Sequence, residues 1–366
     1  MVRDDVTGRD LSLKLGDEIE DVLRDLGVSV KKVGRRKLYC FAPWANETTP
    51  KLEVDIWSKP GKWNHWRGGH FGDALGLVAC VLVGRGDAGR DREAVKQAIF
   101  WAKERYGLGT GYDRGAWKRE TEERQKRAKE REARAARELA EARNTARGLW
   151  LASRPIERGD AADAYLQARG IVLWDLPRQP RAMRLQREAR WFDDDGELAH
   201  VGPAIASAMT LVDGKFGSLH RIWIDPNRPG EKADLPIVRK MWPESEACAI
   251  RLWRGASNLT EAEAAKDGQK EEIVLCEGVE DGLSIALMVP ERRIHAVGSL
   301  PGLLSYAAPK CASGLTVCAD NDWGKPQAQA MLDRACARFE RELRLPVRIA
   351  RSPVGKDFND LLRGRA

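Results

Sequence analysis

Glu277 follows the apolar run IVLC, and Asp320 and Asp322 follow LTVCA, so carboxylates stand at the ends of two segments that read as β-strands. In open α/β sheets chemistry collects at the carboxyl edge of the strands. Acidic side chains gathered on that edge make a set of hard oxygen donors suited to Mg2+, or to Mn2+ in its place, since such ions take a few carboxylates and keep some water. Asp281, one helical turn beyond Glu277, can add a further carboxylate, and Gly278 permits close backbone approach. Asp357, in the segment GKDFND, again follows a strand-like run. An acid after a strand is often only a helix cap or a solvated turn residue. Two acidic strand ends, the DND triplet and the late GKDFND segment together favour a metal-dependent chemistry on phosphates, because clustered like charges must be offset and metal ions do so directly.

The elements that must position these residues alternate regularly. EEIVLCEG, RRIHAVGSL, GLTVCADND and LPVRIARSP read as strands, while EDGLSIALMV, PGLLSYAAPK, GKPQAQAMLDRACARFEREL and KDFNDLLR read as helices. Apolar strands separated by amphipathic helices predict an α/β unit over residues 263–366, a parallel sheet covered on both faces. Residues 149–262 read as a mixed α+β subdomain. There GDAADAYLQARGI is a helix with Asp160 near its cap, VGPAIASAMTLVDGKFGSLHRIWID is two strands joined at Asp213-Gly214, and ACAIRLW is another strand. Residues 111–148, dense in Lys, Arg, Glu and Ala, predict a long and mostly solvated helical linker whose apolar content is too thin for a coiled-coil seam. Within residues 1–110, LSLKLGDEIEDVLRDLG predicts one amphipathic helix, KLEVDIW a strand and SKPGK a turn, with helices expected from near Asp73 and from Asp91 to Tyr106.

At 366 residues the chain suits two or three domains, and its net charge of +7 is compatible with a polyanionic partner. The seven cysteines are scattered with no CxxC pair, as in a reduced cytoplasmic protein. The first residues lack the basic head and apolar run of a secretory signal, and no stretch approaches the roughly 20 apolar residues that span a bilayer, so a soluble cytoplasmic protein with no membrane role is expected. No GxxxxGK[ST] segment occurs, which makes any helicase motor working alongside it a separate protein.

The series CEGVEDG, AVGSLPG, CADNDWGKPQAQAM and GKDFNDLL resembles the Toprim domain shared by bacterial primases, topoisomerases and related nucleases. The resemblance implies a catalytic role for Glu277 and magnesium binding by Asp320 and Asp322. It also matches Asp281 to the aspartate that follows the first glutamate in primases, and Asp357 to the acid of a late metal-side motif. Asn321 and Trp323 depart from the small or glycine-rich surroundings usual there. Upstream, DGKFGSLHRIWID is similar to the primase segment that supplies a basic residue beside the cleft, matched by Arg221. RKMWP is similar to a lysine-bearing motif, matched by Lys240 with Arg239 beside it. With YLQARGI, the chain looks like the Toprim-containing primase-like proteins of phages, plasmids and other mobile elements.

More faintly, residues 1–110 resemble the zinc-binding domain that precedes the primase polymerase domain, in degenerate form. The expected ligand pairs fall near Ala42 and Ala45, and near His65 and Gly68. Structural zinc takes four Cys or His ligands, which alanine and glycine cannot supply, so structural Zn2+ is not expected, although Cys40, His65 and His70 leave a shifted, incomplete set open. Trp44, Trp57, Trp63 and Trp66 are interleaved with Lys59, Lys62 and Arg67. They either stack bases and neutralise phosphates or rebuild the core that zinc once held. On the first alternative Trp63, Trp66 and Arg67 contact nucleic acid; Arg239, beside Lys240, is expected to do so in the primase-like subdomain.

The function expected from this resemblance is a DNA primase-like nucleotidyltransferase that makes short primers on single-stranded DNA from nucleoside triphosphates, with Glu277, Arg221 and Lys240 as catalytic residues. Its rivals are a Toprim metal-dependent nuclease and a non-catalytic DNA-binding replication factor.

Overall fold

The computed structural model describes residues 6–34, 36–66, 68–109, 112–193, 195–243, 246–321 and 325–364. Asp322, Arg67 and Trp323, all singled out above, lie outside the described residues. The chain divides into two compact units, residues 1–138 and 139–366.

In the first unit LSLKLGDEIEDVLRDLG forms two helices, α1 (Gly8–Asp17) and α2 (Ile19–Asp25), where the periodicity predicts one. Thr7 and Asp10 close a capping box on α1. Gly16, at its far end, lies so close to the Pro60 backbone that a Cβ would sit 2.2 Å from the Pro60 carbonyl oxygen. Five short antiparallel strands pair in chain order: β1 (Val30–Val33), β2 (Lys37–Cys40), β3 (Leu52–Asp55), β4 (Trp63–His65) and β5 (His70–Gly72). In β2, β3 and β4 buried residues alternate with half-buried ones, which gives the sheet one core face. The arrangement is consistent with a zinc-ribbon-like fold. Helices α3 (Ala74–Val83) and α4 (Arg92–Arg105), capped by Asp73 and Asp91, close that core.

The long helix exists as α5 (Arg114–Ala152), but its first part is no free-standing spacer. Trp117 is buried in the core of the first unit. Glu120 pairs with Lys14, Arg131 with Asp17 and Glu138 with Arg36, and the Arg134 guanidinium lies over Trp57. The charges that read as a solvated face find partners on folded surface, a choice that helical periodicity alone does not encode.

The second unit begins with the end of α5, where Ala146 packs against Ala206 and Leu219. It continues through α6 (Ala161–Ala168), β6 (Met183–Phe192), β7 (Leu198–Thr210), β8 (Phe216–Trp223), β9 (Arg239–Trp242), β10 (Ala249–Arg254) and α7 (Glu261–Lys266). The alternating part is β11 (Glu271–Cys276), α8 (Val279–Met288), β12 (Arg293–Ala296), α9 (Leu300–Ser305), β13 (Ala312–Ala319), α10 (Pro326–Glu342), β14 (Val347–Arg351) and α11 (Phe358–Leu362). One mixed sheet runs β14-β13-β11-β12-β10-β7-β8-β9, with β6 beside β7. Strands β14, β13, β11 and β12 are parallel, whereas β10 pairs antiparallel with both β12 and β7. The segments expected as separate subdomains therefore share a single sheet. Along β11, Ile273 and Leu275 face one core while Val274 and Cys276 face another, as two-residue alternation requires of a strand covered on both sides. Among the described residues no helix is long and apolar enough to cross a membrane.

Candidate active site at the strand ends

Parallel pairing of β11 and β13 sets Cys276 opposite Cys318, so Glu277 leaves its strand beside Ala319 and Asp320 follows one residue later. Gly278 starts α8, and a Cβ on it would lie 3.0 Å from Asp281 Oδ2, so the glycine gives room for that carboxylate against the backbone. Asp357 caps α11, its Oδ1 accepting from the Asp360 N–H at 2.9 Å. Burial, then the charges of Asp357, Asp320 and Glu280, push the Asp281 carboxyl up to about 7, so these acids share one neighbourhood. Asp320 and Glu277 also contribute to raising the buried Cys276 thiol, behind burial, Asp281 and Cys318. The expected acids Glu277, Asp281, Asp320 and Asp357 are thus brought to one edge.

The donors fit a hard divalent cation in chemistry: all are carboxylate oxygens, and their mutual repulsion is what a cation would relieve. Lys356 Nζ, 3.8 Å from Asp320 Oδ2, offsets part of it. Among the described residues no group of three His, Cys, Asp or Glu is already gathered to hold a metal ion.

The basic residues divide between the two faces of the antiparallel half. On β8, His220 and Arg221 point to opposite sides, and their partners on β9 are Met241 and Lys240. Arg221 lies over Trp223 and donates to the Arg190 carbonyl; Lys240 lies over Trp191 and donates to the Phe192 carbonyl. Neither is brought to the acids by these contacts. Arg239 and Lys232 act on the other side, where both depress the buried His220, which burial first pushes down to about 4. Glu280 escaped the sequence reading. It is buried, yet Lys232 Nζ at 2.9 Å and the Tyr165 hydroxyl at 2.8 Å overcome the burial that opposes ionisation and hold its carboxyl at about 2. Nothing in EDG marks which acid turns inward, because Lys232 and Tyr165 arrive from distant segments.

In the first unit the zinc-pair positions hold Ala42, Ala45, His65 and Gly68. His65 Nε2 meets Glu47 Oε1 at 2.7 Å, and its ring stacks with His70. Cys40 pairs with Leu52, Leu52 with His65 and His65 with His70, so the backbone at Cys40 lies two strand spacings, roughly 10 Å, from His65 and three from His70. Cys40, His65 and His70 do not converge, and burial pushes the Cys40 thiol up to about 11. Trp63 is a core residue, 4% exposed, with Nε1 donating to the Asp73 carbonyl, and it has no open face for a base. Trp66 is 39% exposed. Trp63→Ala should therefore cost about 3–5 kcal/mol of stability through cavity formation. Trp66→Ala should leave the melting temperature nearly unchanged and weaken single-stranded DNA binding by about 1–3 kcal/mol in fluorescence anisotropy at fixed salt. Equal DNA affinity of folded Trp66→Ala and wild type would remove the stacking role.

Comparison with solved structures finds primases. The zinc-binding and RNA polymerase domains of the Aquifex aeolicus primase are 16% identical, covering 97% of this chain and 82% of that one, with a TM-score of 0.35. The primase fragment of the bacteriophage T7 primase-helicase is 15% identical over 58% of this chain and 76% of that one, at 0.34. The RNA polymerase domain of Mycobacterium tuberculosis primase DnaG, in complex with double-stranded DNA, is 14% identical over 62% and 78%, at 0.38. No curated protein matches the chain. Residues 140–252 match a domain of unknown function (DUF7146). Residues 272–366, which hold the parallel strands and all the acids of the edge, match the Toprim domain and have its fold.

Proposed function

We propose that this chain is a primase-like nucleotidyltransferase that makes short primers on single-stranded DNA from nucleoside triphosphates. The observation that carries the reading is the placement of Glu277, Asp281, Asp320 and Asp357 along one sheet edge inside the segment that matches the Toprim domain. Asp281, Asp320 and Asp357, with Asp322, would hold Mg2+ or Mn2+. Such an ion, when bound, lowers the cost of deprotonating a 3′-hydroxyl and offsets charge on the leaving pyrophosphate. Glu277, at the strand exit, would take the 3′-hydroxyl proton as the new oxygen–phosphorus bond forms at the α-phosphate and the bond to pyrophosphate breaks. Lys232 and Arg239, on the His220 face, would lie toward the triphosphate, and Arg221 and Lys240, on the opposite face, toward template phosphates. Trp66 and Arg67 would engage template on the first unit.

Primer synthesis from labelled triphosphates on single-stranded DNA with Mg2+ is the test. Wild type should extend primers and Glu277→Gln should lose at least 100-fold, because general-base roles contribute about 10²–10⁴-fold. Equal product from both rejects the assignment, and Mg2+-dependent nicking of supercoiled plasmid without synthesis would turn it toward a nuclease.

A further inference from the structure

Two asparagines tie the acid-bearing segments to one another. Asn321, directly after Asp320, donates from Nδ2 to the carbonyls of Ser352 at 2.9 Å and Gly355 at 3.0 Å, and from its backbone N–H to the Lys356 carbonyl at 2.7 Å. The turn after β13 is thus bonded three times to the loop that delivers Asp357. Asn359, buried on α11, continues the chain of bonds. Its N–H donates to Asp281 Oδ1 at 3.3 Å, and its Nδ2 to Ser284 Oγ at 3.0 Å on α8 and to the Arg169 carbonyl at 2.9 Å. Asp357 sits between the two asparagines in sequence and is itself fastened as the cap of α11.

The chemistry of the side chain matters at both places. An amide donates two hydrogens to carbonyl oxygens without adding charge, whereas a carboxylate has only acceptors to offer. The charges of Asp357 and Asp320 repel that of Asp281. Without a brace, the loops bearing them would separate until a cation drew them in, and that ordering would reduce affinity. We propose that Asn321 and Asn359 are positioning residues that hold the three acidic segments at fixed separations before any cation arrives, and so set the affinity of the edge for divalent ions. The inference rests on reading these acids as a metal site, and it is independent of which reaction runs there.

Asn321→Asp separates the brace from a simple count of charges, because the two predict opposite signs. The substitution keeps size and adds a carboxylate, so charge alone would tighten cation binding; the brace predicts weakening, since both donors are lost and an acid faces two carbonyls. Mn2+ binding to the full-length protein, followed by the loss of the free-ion signal in electron paramagnetic resonance, should be about tenfold weaker in Asn321→Asp. Asn321→Ala, which removes the donors and places no charge against the carbonyls, should be weakened similarly, and it carries the same expectation if the aspartate variant does not fold. Melting temperatures without metal identify folded variants. Affinity within twofold of wild type in the alanine variant, or tighter binding in the aspartate variant, overturns the brace. A wild type that binds no Mn2+ overturns the metal reading beneath it, whereas one that binds Mn2+ and makes no primer counts against the proposed reaction and leaves the brace standing.

Discussion

Asp281→Asn is expected to stabilise the metal-free protein at pH 8 while weakening the proposed Mg2+ site. Burial first, and then the charges of Asp357, Asp320 and Glu280, raise the Asp281 carboxyl from 3.8 to about 7, so the folded state holds this proton more tightly than the unfolded chain. The stability linked to the group is fully present below about pH 4 and declines as pH rises to about 7. Above that it is lost. A shift of this size corresponds to about 4 kcal/mol before the discount for partial exposure, so a gain of about 2 kcal/mol on substitution is a fair expectation. Asparagine retains an oxygen to accept from the Asn359 N–H, which keeps the fold's bond while deleting the charge. In a unit of this size the gain should appear as a melting temperature about 5 °C higher at pH 8, with the two proteins converging near pH 4. If the edge holds Mg2+ as proposed, the ion must displace this proton in wild type, and its affinity should rise from pH 6 to pH 8. That slope should flatten in the variant. A lower melting temperature for Asp281→Asn at pH 8, measured without metal, would contradict the repulsion inferred here.

Glu280→Ala, one residue away, is expected to do the reverse and cost about 3–5 kcal/mol at pH 7, because it leaves Lys232 and the Tyr165 hydroxyl without their buried partner. Here the folded carboxyl lies at about 2 against an ordinary 4.5, despite its burial, since the Lys232 ammonium and the Tyr165 hydroxyl favour the charged form. The stability it contributes is present above about pH 4.5 and is lost as pH falls toward 2. Urea unfolding at pH 7 and at pH 3 should show a large gap between wild type and variant at the higher pH and a smaller one at the lower. A gap that does not narrow at pH 3 would mean that the loss comes from packing alone. Adjacent acids on one helical turn thus have opposite effects on stability, one held in ionised form by a fold-spanning pair and the other crowded by its own kind.

How much of this was legible beforehand follows from the range of the forces involved. The strand–helix alternation from β11 to α11, the cap at Asp160, the helix starts near Asp73 and Asp91, and the hairpin at Asp213-Gly214 rest on periodicity and turn chemistry within a few residues, and the sequence by itself determined them. The same locality put Glu277 and Asp320 at strand exits, because each acid directly ends an apolar run. Strand β6 was missed, since MRLQREARWF carries charges where alternation would be read, and its pairing with β7 supplies what its own pattern lacks. Only the tertiary structure decided which face each side chain meets. It joined two expected subdomains through β10, laid the charged α5 on folded surface, and sent Arg221 and Lys240 over indoles away from His220. It also buried Trp63 and paired Glu280 with a lysine and a tyrosine far off in the chain. The physical reason is that pairing between segments far apart in the chain, as of Tyr165 with Glu280 or Asp17 with Arg131, leaves no trace in the spacing around either residue, whereas the direction of an apolar run is written in its immediate neighbours.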